Sequence, residues 1–184
     1  MKKGKLIIIS GPSGVGKGTI CNHIIGNFNT EYSVSFTTRN PREGEVDGIN
    51  YNFVTVEQFK DMIKEGDLLE YNVYNGNYYG TSKSFVENKI NQGINIILEI
   101  DVNGAKQVKD IFHDALLIYI APPSIEELKN RLIDRKTESM EKINERLKIA
   151  ENELKMTKFY DFVIINDNLN KAISDIEKVL NEEL

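Results

Sequence analysis

Several features are scarce in this 184-residue chain, and each scarcity excludes a class of protein. The single cysteine, Cys21, argues against a disulfide framework and against a cysteine-based metal site. No apolar run approaches the roughly 20 residues of a membrane-spanning helix. The apolar stretch after the basic N-terminal residues MKKGK is also too short for a signal peptide. We therefore expect a reduced, cytoplasmic protein.

An excess of positive charge is missing as well. The chain has 23 Lys and Arg against 28 Asp and Glu, a net charge of −5, which argues against a general nucleic-acid or membrane-surface protein. Hydrophobic residues at 40% and charged residues at 28% are ordinary globular values. The length therefore predicts one domain with a substantial core.

Arginine is rare among the basic residues, with five arginines against 18 lysines. Its planar guanidinium binds two phosphate oxygens at once, which a lysine ammonium cannot do. The arginines fall in two clusters along the chain, although scatter alone could also produce that distribution. They are candidates for phosphate binding: Arg39, Arg42, Arg131, Arg135 and Arg146.

The most informative stretch is LIIISGPSGVGKGT, residues 6–19. Its apolar run, 6–9, shows no alternation, which predicts a strand buried on both faces of a parallel sheet. The glycines permit a tight loop whose N–H groups point inward, and a helix is expected at 18–25. A phosphate there would meet backbone N–H groups, the positive end of a helix and the Lys17 ammonium. This pattern predicts a phosphate-binding loop (P-loop) formed by Gly11, Pro12, Ser13, Gly14, Val15, Gly16, Lys17, Gly18 and Thr19.

One position departs from the usual P-loop pattern. Serine or threonine normally follows the lysine, whereas here Gly18 follows it and Thr19 comes one step later. This glycine-threonine pair resembles nucleoside monophosphate kinases. Thr19 is therefore the candidate metal ligand, either directly or through a water molecule. The alternative for the whole stretch is an ordinary strand, turn and helix without a ligand.

The segment 35–54, which follows a strand predicted at 32–36, is polar and has no helical period. Loops of this length in a compact domain are usually functional. Arg39 and Arg42 flank Pro41, which restrains the backbone between them. Two guanidiniums held in this way suit a dianionic phosphate, although a solvated basic turn would have the same pattern.

Two further signals define the middle of the chain. Thr55 with Gln58 predicts a capping box that opens a helix at 55–65. The Asn75-Gly76 dipeptide between two short strands predicts a hairpin within 67–82. That hairpin carries four tyrosines, some of which must simply pack, and Glu70, whose carboxylate needs a partner or a ligand.

A second buried strand is predicted at 94–100, and Glu99 and Asp101 lie at its carboxyl end. This edge of an α/β sheet is where ligands bind, so both carboxylates could serve a metal's water shell or a substrate. The residues DVNG, 101–104, also match the D-x-x-G of GTPase switches, but no N-K-x-D follows. The remaining predicted elements are helices at 84–91 and 106–112, a strand at 116–120, a Ser124–Glu127 capping box, helices at about 125–134 and 139–157, a strand at 162–165 and a helix at 169–184.

The two charged helices leave two interpretations open. They form either a solvated helical hairpin or a movable cover over phosphates, because they combine a thin apolar seam with arginines. Arg131 and Arg135 are four residues apart and so share one helix face.

In combination, these motifs resemble the guanylate kinase family over essentially the whole chain. The matching segments are GPSGVGKGT (11–19), SFTTRNPREGEVDGINYNFV (35–54), GNYYGTS (76–82), ILEIDVNGAKQV (97–108), and RLIDRKTE with NERL within 131–147. The resemblance implies a single α/β domain, 1–184, with the fold of a P-loop three-layer sandwich. It implies a parallel core sheet (1–35, 84–123 and 158–184), a small mixed α+β insert that binds the nucleoside monophosphate (36–83) and a helical lid (124–157).

The resemblance also implies the reaction ATP + GMP ⇌ ADP + GDP with Mg²⁺, in a monomer or homodimer. It assigns the P-loop to ATP, and charge neutralisation to Lys17, Arg42 and the lid arginines Arg131, Arg135 and Arg146. Lys136 stands where a glycine is common, which affects the adenine side. The implied GMP site consists of Arg39, Arg42, Tyr51 and Tyr79 at the phosphate, Ser35, Glu70 and Thr81 at the guanine, and Glu99 and Asp101 near the substrate and metal.

Two other functions are compatible with parts of this pattern. Guanylate-kinase-like domains of membrane scaffolds bind phosphoproteins, but they lack the intact P-loop present here. A kinase of the same fold could act on another phosphorylated small molecule, such as a ribose bisphosphate. The implied guanine set of Ser35, Glu70 and Thr81 disfavours that alternative.

Overall fold

The computed structural model describes residues 2–134 and 139–184 of the chain. Its strands are β1 (Leu6–Ser10), β2 (Thr30–Tyr32), β3 (Phe36–Thr37), β4 (Asn52–Phe53), β5 (Leu68–Tyr74), β6 (Asn77–Ser82), β7 (Asn95–Glu99), β8 (Leu116–Ala121) and β9 (Phe162–Ile165). Its α-helices are α1 (Lys17–Ile24), α2 (Val56–Glu65), α3 (Lys83–Asn91), α4 (Val102–Ile111), α5 (Ile125–Asp134), α6 (Met140–Leu154) and α7 (Leu169–Glu183). None of the helices in these described ranges is long and apolar enough to cross a membrane.

The core is a five-stranded parallel sheet in the order β2-β7-β1-β8-β9. The side chains of β1 alternate between two apolar clusters. Ile7 and Ile9 pack with α1, α5, α6 and α7, whereas Leu6 and Ile8 pack with α3 and α4. The uninterrupted apolar run is therefore buried on both faces, which confirms the predicted three-layer α/β fold.

A second, mixed sheet has the order β4-β3-β6-β5. Strands β3 and β4 are parallel, while β6 pairs antiparallel with both β3 and β5. Asn75 and Gly76 join β5 to β6 with φ angles of +50° and +76°, as a two-residue hairpin turn requires. The predicted hairpin is therefore confirmed. The Thr55–Gln58 capping box that opens α2 is also present.

The prediction of one strand at 32–36 is wrong. The chain leaves the core sheet after Tyr32 and pairs again only at Phe36, in the second sheet. The Ser33 N–H donates a hydrogen bond to the Ile97 carbonyl of the core sheet (3.0 Å). The Ser35 carbonyl instead accepts a hydrogen bond from the Asn52 N–H of the second sheet (2.9 Å). Local sequence cannot show this change of partner, because both sheets accept the same residue types.

The helix expected at 106–112 begins earlier, at Val102. The Asp101 carboxylate accepts a hydrogen bond from the Gly104 N–H (2.8 Å) and so caps α4. The residues DVNG are therefore a helix N-terminus, and their match to a GTPase switch has no structural counterpart. Asparagine and glycine are typical of turns, so the sequence did not predict that Asp101 caps a helix.

The helical pair α5 and α6 also differs from its prediction. Ser124 Oγ accepts from the Glu127 N–H (3.0 Å), but the Glu127 carboxylate binds Arg131 and does not complete the capping box. Helix α6 ends at Leu154, ahead of the predicted 157, and a 3₁₀ turn follows at Thr157–Phe159. The predicted residues Arg135 and Lys136 lie outside the described residues.

Candidate active site

The P-loop connects the central strand β1 to α1. Gly14 and Gly16 have φ angles of +91° and +99°, a region that favours glycine. The Lys17 ammonium lies across the loop and donates to the carbonyls of Gly11 (2.6 Å) and Pro12 (3.2 Å). Gly16 is the N-cap of α1, and no described side chain caps this end. The first N–H groups of α1 therefore suit an anion.

The core fixes the shape of this loop through Asn166, which follows β9. The Asn166 side chain is 6% exposed and donates to the Val15 carbonyl (2.8 Å). A methyl group at Gly16 would lie 2.7 Å from the Asn166 amide nitrogen. Sequence reasoning missed Asn166, although its place at the carboxyl end of a core-sheet strand is the signal that identified Glu99 and Asp101.

A basic and aromatic cluster lies on the second sheet. The Arg39 guanidinium lies 5.4 Å from the ring centroid of Tyr51, and the rings of Tyr51 and Tyr79 meet edge-on at 6.0 Å. Glu45 holds the cluster together, because its carboxylate accepts from the Arg39 guanidinium (2.9 Å) and from the Arg42 N–H (2.7 Å). The hydrogen bond from Arg39 lowers the pKa of Glu45. No local signal pointed to Glu45.

Glu70 is the buried carboxylate of the site, with 5% exposure. It lies opposite Thr81 in the β5–β6 pair, and the Thr81 hydroxyl donates to Oε1 (2.6 Å). Burial raises the pKa of Glu70 to about 7, although the Thr81 hydrogen bond opposes this shift. The absence of a side chain at Gly104 leaves room for the Glu70 carboxylate, because a Cβ at position 104 would lie 2.7 Å from Glu70 Oε2. The Glu70 carboxyl group therefore titrates near neutral pH.

Two carboxylates lie at the carboxyl end of β7, where the core sheet meets the second sheet. Asp101 caps α4 with one oxygen and accepts from the Asn72 side-chain amide on β5 with the other (2.5 Å). Asp101 therefore links the two sheets, and its partner Asn72 was not predicted. Glu99 lies beside the start of α1, since a Cβ at Gly18 would be 3.6 Å from its Oε2.

The two described arginines of the helical pair behave differently. Arg146 on α6 reaches the P-loop and donates to the Ser13 hydroxyl (2.5 Å). Arg131 on α5 donates to the Asn166 carbonyl (2.9 Å) and to Glu127 (3.0 Å), so it braces the residue that holds the loop. Arg131 does not line the cavity, and its predicted contact with ATP stays a prediction.

These groups surround one cavity of about 690 Å³. The predicted residues that line it are Gly11, Pro12, Ser13, Lys17, Ser35, Arg39, Arg42, Tyr51, Glu70, Tyr79, Glu99, Asp101 and Arg146. Other predicted residues lie outside the lining. Val15 is in the apolar core, Thr81 is buried behind Glu70, and Thr19 is exposed. Gly14, Gly16 and Gly18 belong to the loop but not to the cavity wall.

The model of the guanylate kinase family matches residues 3–183. The chain belongs to the guanylate kinase family. It is 48% identical over 183 residues to the guanylate kinase of Clostridium tetani, covering 100% of this chain and 88% of that protein. It is 49% identical over 184 residues to the guanylate kinase of Shouchella clausii, covering 99% and 89%. The crystal structure of guanylate kinase from Anaplasma phagocytophilum superposes with a TM-score of 0.81 at 30% identity, covering 100% of this chain and 87% of that one.

Membership of the guanylate kinase family implies ATP-dependent phosphoryl transfer, which generally needs a divalent metal. The residues that line the cavity near the loop fit a hard cation through the Glu99 and Asp101 carboxylates, whereas the Thr19 hydroxyl is exposed outside this lining. Within 2–134 and 139–184, no group of three or more His, Cys, Asp or Glu could hold an ion. A metal here would therefore depend largely on phosphate oxygens and water.

Proposed function

We propose that this enzyme transfers the γ-phosphoryl group of ATP to GMP, giving ADP and GDP, with Mg²⁺. One observation carries the proposal: a single cavity has the P-loop at one end and the Arg39, Tyr51 and Tyr79 cluster at the other, with Glu70 beside it. Such a cavity offers two separate phosphate sites and a polar pocket for one base. It therefore suits transfer between two nucleotides.

The chemistry of Glu70 supports guanine as the acceptor base. Guanine presents a ring N–H and an exocyclic amine side by side, and a carboxylate accepts from both. Ser35 would donate to the guanine carbonyl, and Thr81 fixes the Glu70 oxygen that it already binds. Adenine does not present this pair of adjacent donors. The buried Glu70 carboxylate would then lack hydrogen bonds from the base, which disfavours AMP.

The GMP phosphate would bind between the Arg39 and Arg42 guanidiniums and the Tyr51 and Tyr79 hydroxyls. Its attacking oxygen is already anionic, so the reaction needs no strong general base. Catalysis then comes from in-line positioning and from neutralisation of charge on the transferring group. Lys17 and Arg146 are the described cations on the ATP side.

Arg131 would join these cations by rotating from Asn166, and Arg135 is the remaining predicted member. Thr19 would hold Mg²⁺ directly or through water, and the bound ion would supply further neutralisation of phosphate charge. Glu99 and Asp101 would orient its water shell. Closure of the insert, 36–83, and the lid, 124–157, over the core would exclude water, which otherwise competes for the phosphoryl group.

We further propose that the enzyme acts in the cytoplasm on small molecules, without nucleic acid or membrane, as a monomer or homodimer. Light scattering coupled to size exclusion distinguishes the two oligomeric states.

The decisive experiment measures ADP release from Mg·ATP with GMP, AMP, UMP and CMP offered separately, with an acceptor-free reaction as control. Turnover with GMP alone supports the proposal. Equal turnover with AMP contradicts the role of Glu70. Activity with none of the four contradicts the proposed reaction, and ribose bisphosphates and phosphopeptides would then be tested as ligands.

A further inference from the structure

Three buried oxygen atoms lie near the C-terminal end of α6 without hydrogen-bond partners in the described part of the chain. They are the hydroxyls of Tyr119 and Tyr160 and the Oε2 atom of Glu153. Tyr119 on β8 is 0% exposed and Tyr160, just before β9, is 7% exposed. An unpartnered buried polar group costs about 1–3 kcal/mol, so three together require an explanation.

The three groups belong to one place in the fold. The rings of Tyr119 and Tyr160 lie 5.0 Å apart, and both belong to the apolar cluster on the α3–α4 face of the sheet. Leu154, the neighbour of Glu153, packs against that same cluster. The C-terminal end of α6 therefore packs against the apolar cluster that contains both tyrosines. Burial, and then the charge of Glu153, raises the pKa of the Tyr119 hydroxyl.

The chemistry of the three groups is complementary. Each phenol has a proton to donate, and a carboxylate accepts more than one hydrogen bond. The Tyr160 hydroxyl also faces the Ser10 hydroxyl, so pairing with Glu153 would satisfy the Glu153 and Tyr119 oxygen atoms and give Tyr160 a charged acceptor. The three groups are close enough for the charge of Glu153 to act on both tyrosine hydroxyls, so a shift of α6 could bring them into hydrogen-bond contact.

Glu153 also connects this region to the active site. It lines the same cavity as Arg146, which stands seven residues earlier on α6. Residues at that spacing lie two turns apart on one helix face. Arg146, in the middle of α6, binds the P-loop through Ser13, so an attachment at Glu153 would fix the C-terminal end of the helix as well.

We propose that Glu153 is a positioning residue: by accepting hydrogen bonds from Tyr119 and Tyr160 as α6 closes, it sets Arg146 over the P-loop. This inference rests on the proposed function. It assigns the carboxylate no contact with substrate.

The test compares Tyr160→Phe and Glu153→Met, which remove the donor or the acceptor while keeping side-chain size. Glu153→Met is expected to lower kcat about tenfold and Tyr160→Phe less, with the KM for GMP unchanged and the melting temperature of the ligand-free protein not lowered. The double variant should be no worse than Glu153→Met alone, because that change already removes the interaction with Tyr160. Glu151→Met, an exposed change on the same helix, is the matched control and should keep wild-type kinetics.

A second measurement follows α6 directly. The chain has no tryptophan, so Met140→Trp at the exposed start of α6 gives a single fluorescent reporter. Its response to a non-hydrolysable ATP analogue should fall by more than half when Tyr160→Phe or Glu153→Met is added. An undiminished response, wild-type kcat, or additive losses in the double variant would each overturn the inference. Absence of GMP phosphorylation by the wild type would instead overturn the proposed function.

Discussion

The two ends of the cavity are built in different ways. The P-loop end uses consecutive residues, 11–19, and binds through backbone N–H groups, one lysine and a helix terminus. It lies on the central strand of the core sheet and is held by Asn166. The opposite end uses side chains from separate parts of the second sheet, whose strands β3 and β4 have only two residues each.

This difference in construction indicates which end of the cavity can move. The P-loop cannot shift without disturbing the packing of β1 and its contact with Asn166. The second sheet is joined to the core chiefly through one strand, β5, which packs on α3 and α4 and carries the bond from Asn72 to Asp101. A rigid donor site and a more adjustable acceptor site suit an enzyme that must close over two substrates.

The largest effect should come from Lys17→Ala. It removes the ammonium from the P-loop, and we expect turnover to fall by at least roughly 10³-fold, because charge on the transferring group loses its partner. The melting temperature should change little. Lys60→Ala, at an exposed position on α2, is the control. Near-normal turnover by the Lys17 variant would contradict the assignment of the P-loop.

Glu70→Gln tests the opposite end alone. The new amide presents donors toward the donors of guanine, so kcat/KM for GMP should fall roughly 10²–10³-fold. The Kd for ATP, measured by calorimetry, should stay the same because the two ends are separate. If both nucleotides lose affinity equally, Glu70 does not select the base.

Gly16→Ala tests the rigidity of the P-loop, with Gly26→Ala as its control. Both glycines have positive φ, +99° and +81°, so each alanine should destabilise the fold by about 1–2 kcal/mol. Only the Gly16 methyl meets a neighbour, at Asn166, and Gly26 has nothing within 4 Å. The Gly16 variant alone should therefore lose kcat/KM for ATP, by roughly 10²-fold. Equal kinetics in the two variants would show that the P-loop accommodates the added methyl group.

The smallest effect is a pH dependence at the acceptor end. Burial raises the pKa of Glu70 to about 7, so the ionised acceptor is lost as the pH falls below that value. We expect kcat/KM for GMP to fall by up to about tenfold per pH unit there. The GMP phosphate also titrates, near a pKa of about 6, so the profile of Glu70→Gln serves as the baseline. Identical profiles would contradict this prediction.

The same pKa shift has a consequence for stability. Because the pKa rises from 4.5 to about 7 on folding, the contribution of Glu70 is present below 4.5 and lost as the pH rises through 7. Glu70→Gln should therefore stabilise the ligand-free protein at pH 8, by up to roughly 3 kcal/mol, and much less at pH 5. Thermal melting at the two pH values measures the difference. Equal stabilisation at both would show that ionisation of Glu70 is not the cause.

Much of the fold followed from local patterns. The central strand, the α2 capping box and the Asn75–Gly76 turn each depend on a few adjacent residues, and each was predicted with its correct type. The P-loop was predictable for the same reason, since its ligands are its own backbone groups. In the proposed GMP site, Arg39, Arg42 and Glu70 were candidates from their own chemistry. Ser35, Tyr51, Tyr79 and Thr81 were named only through a family resemblance, because no spacing rule links these positions.

The sequence by itself determined the α/β class, the P-loop and the arginine clusters, because periodicity, glycine placement and residue chemistry act over short stretches. Only the tertiary structure decided that the chain changes sheets between Tyr32 and Phe36, and that Asp101 caps a helix while binding Asn72. It also decided that Asn166 braces the loop and that Glu45 holds Arg39. These contacts depend on which distant segments meet, and sheet pairing and burial fix that choice.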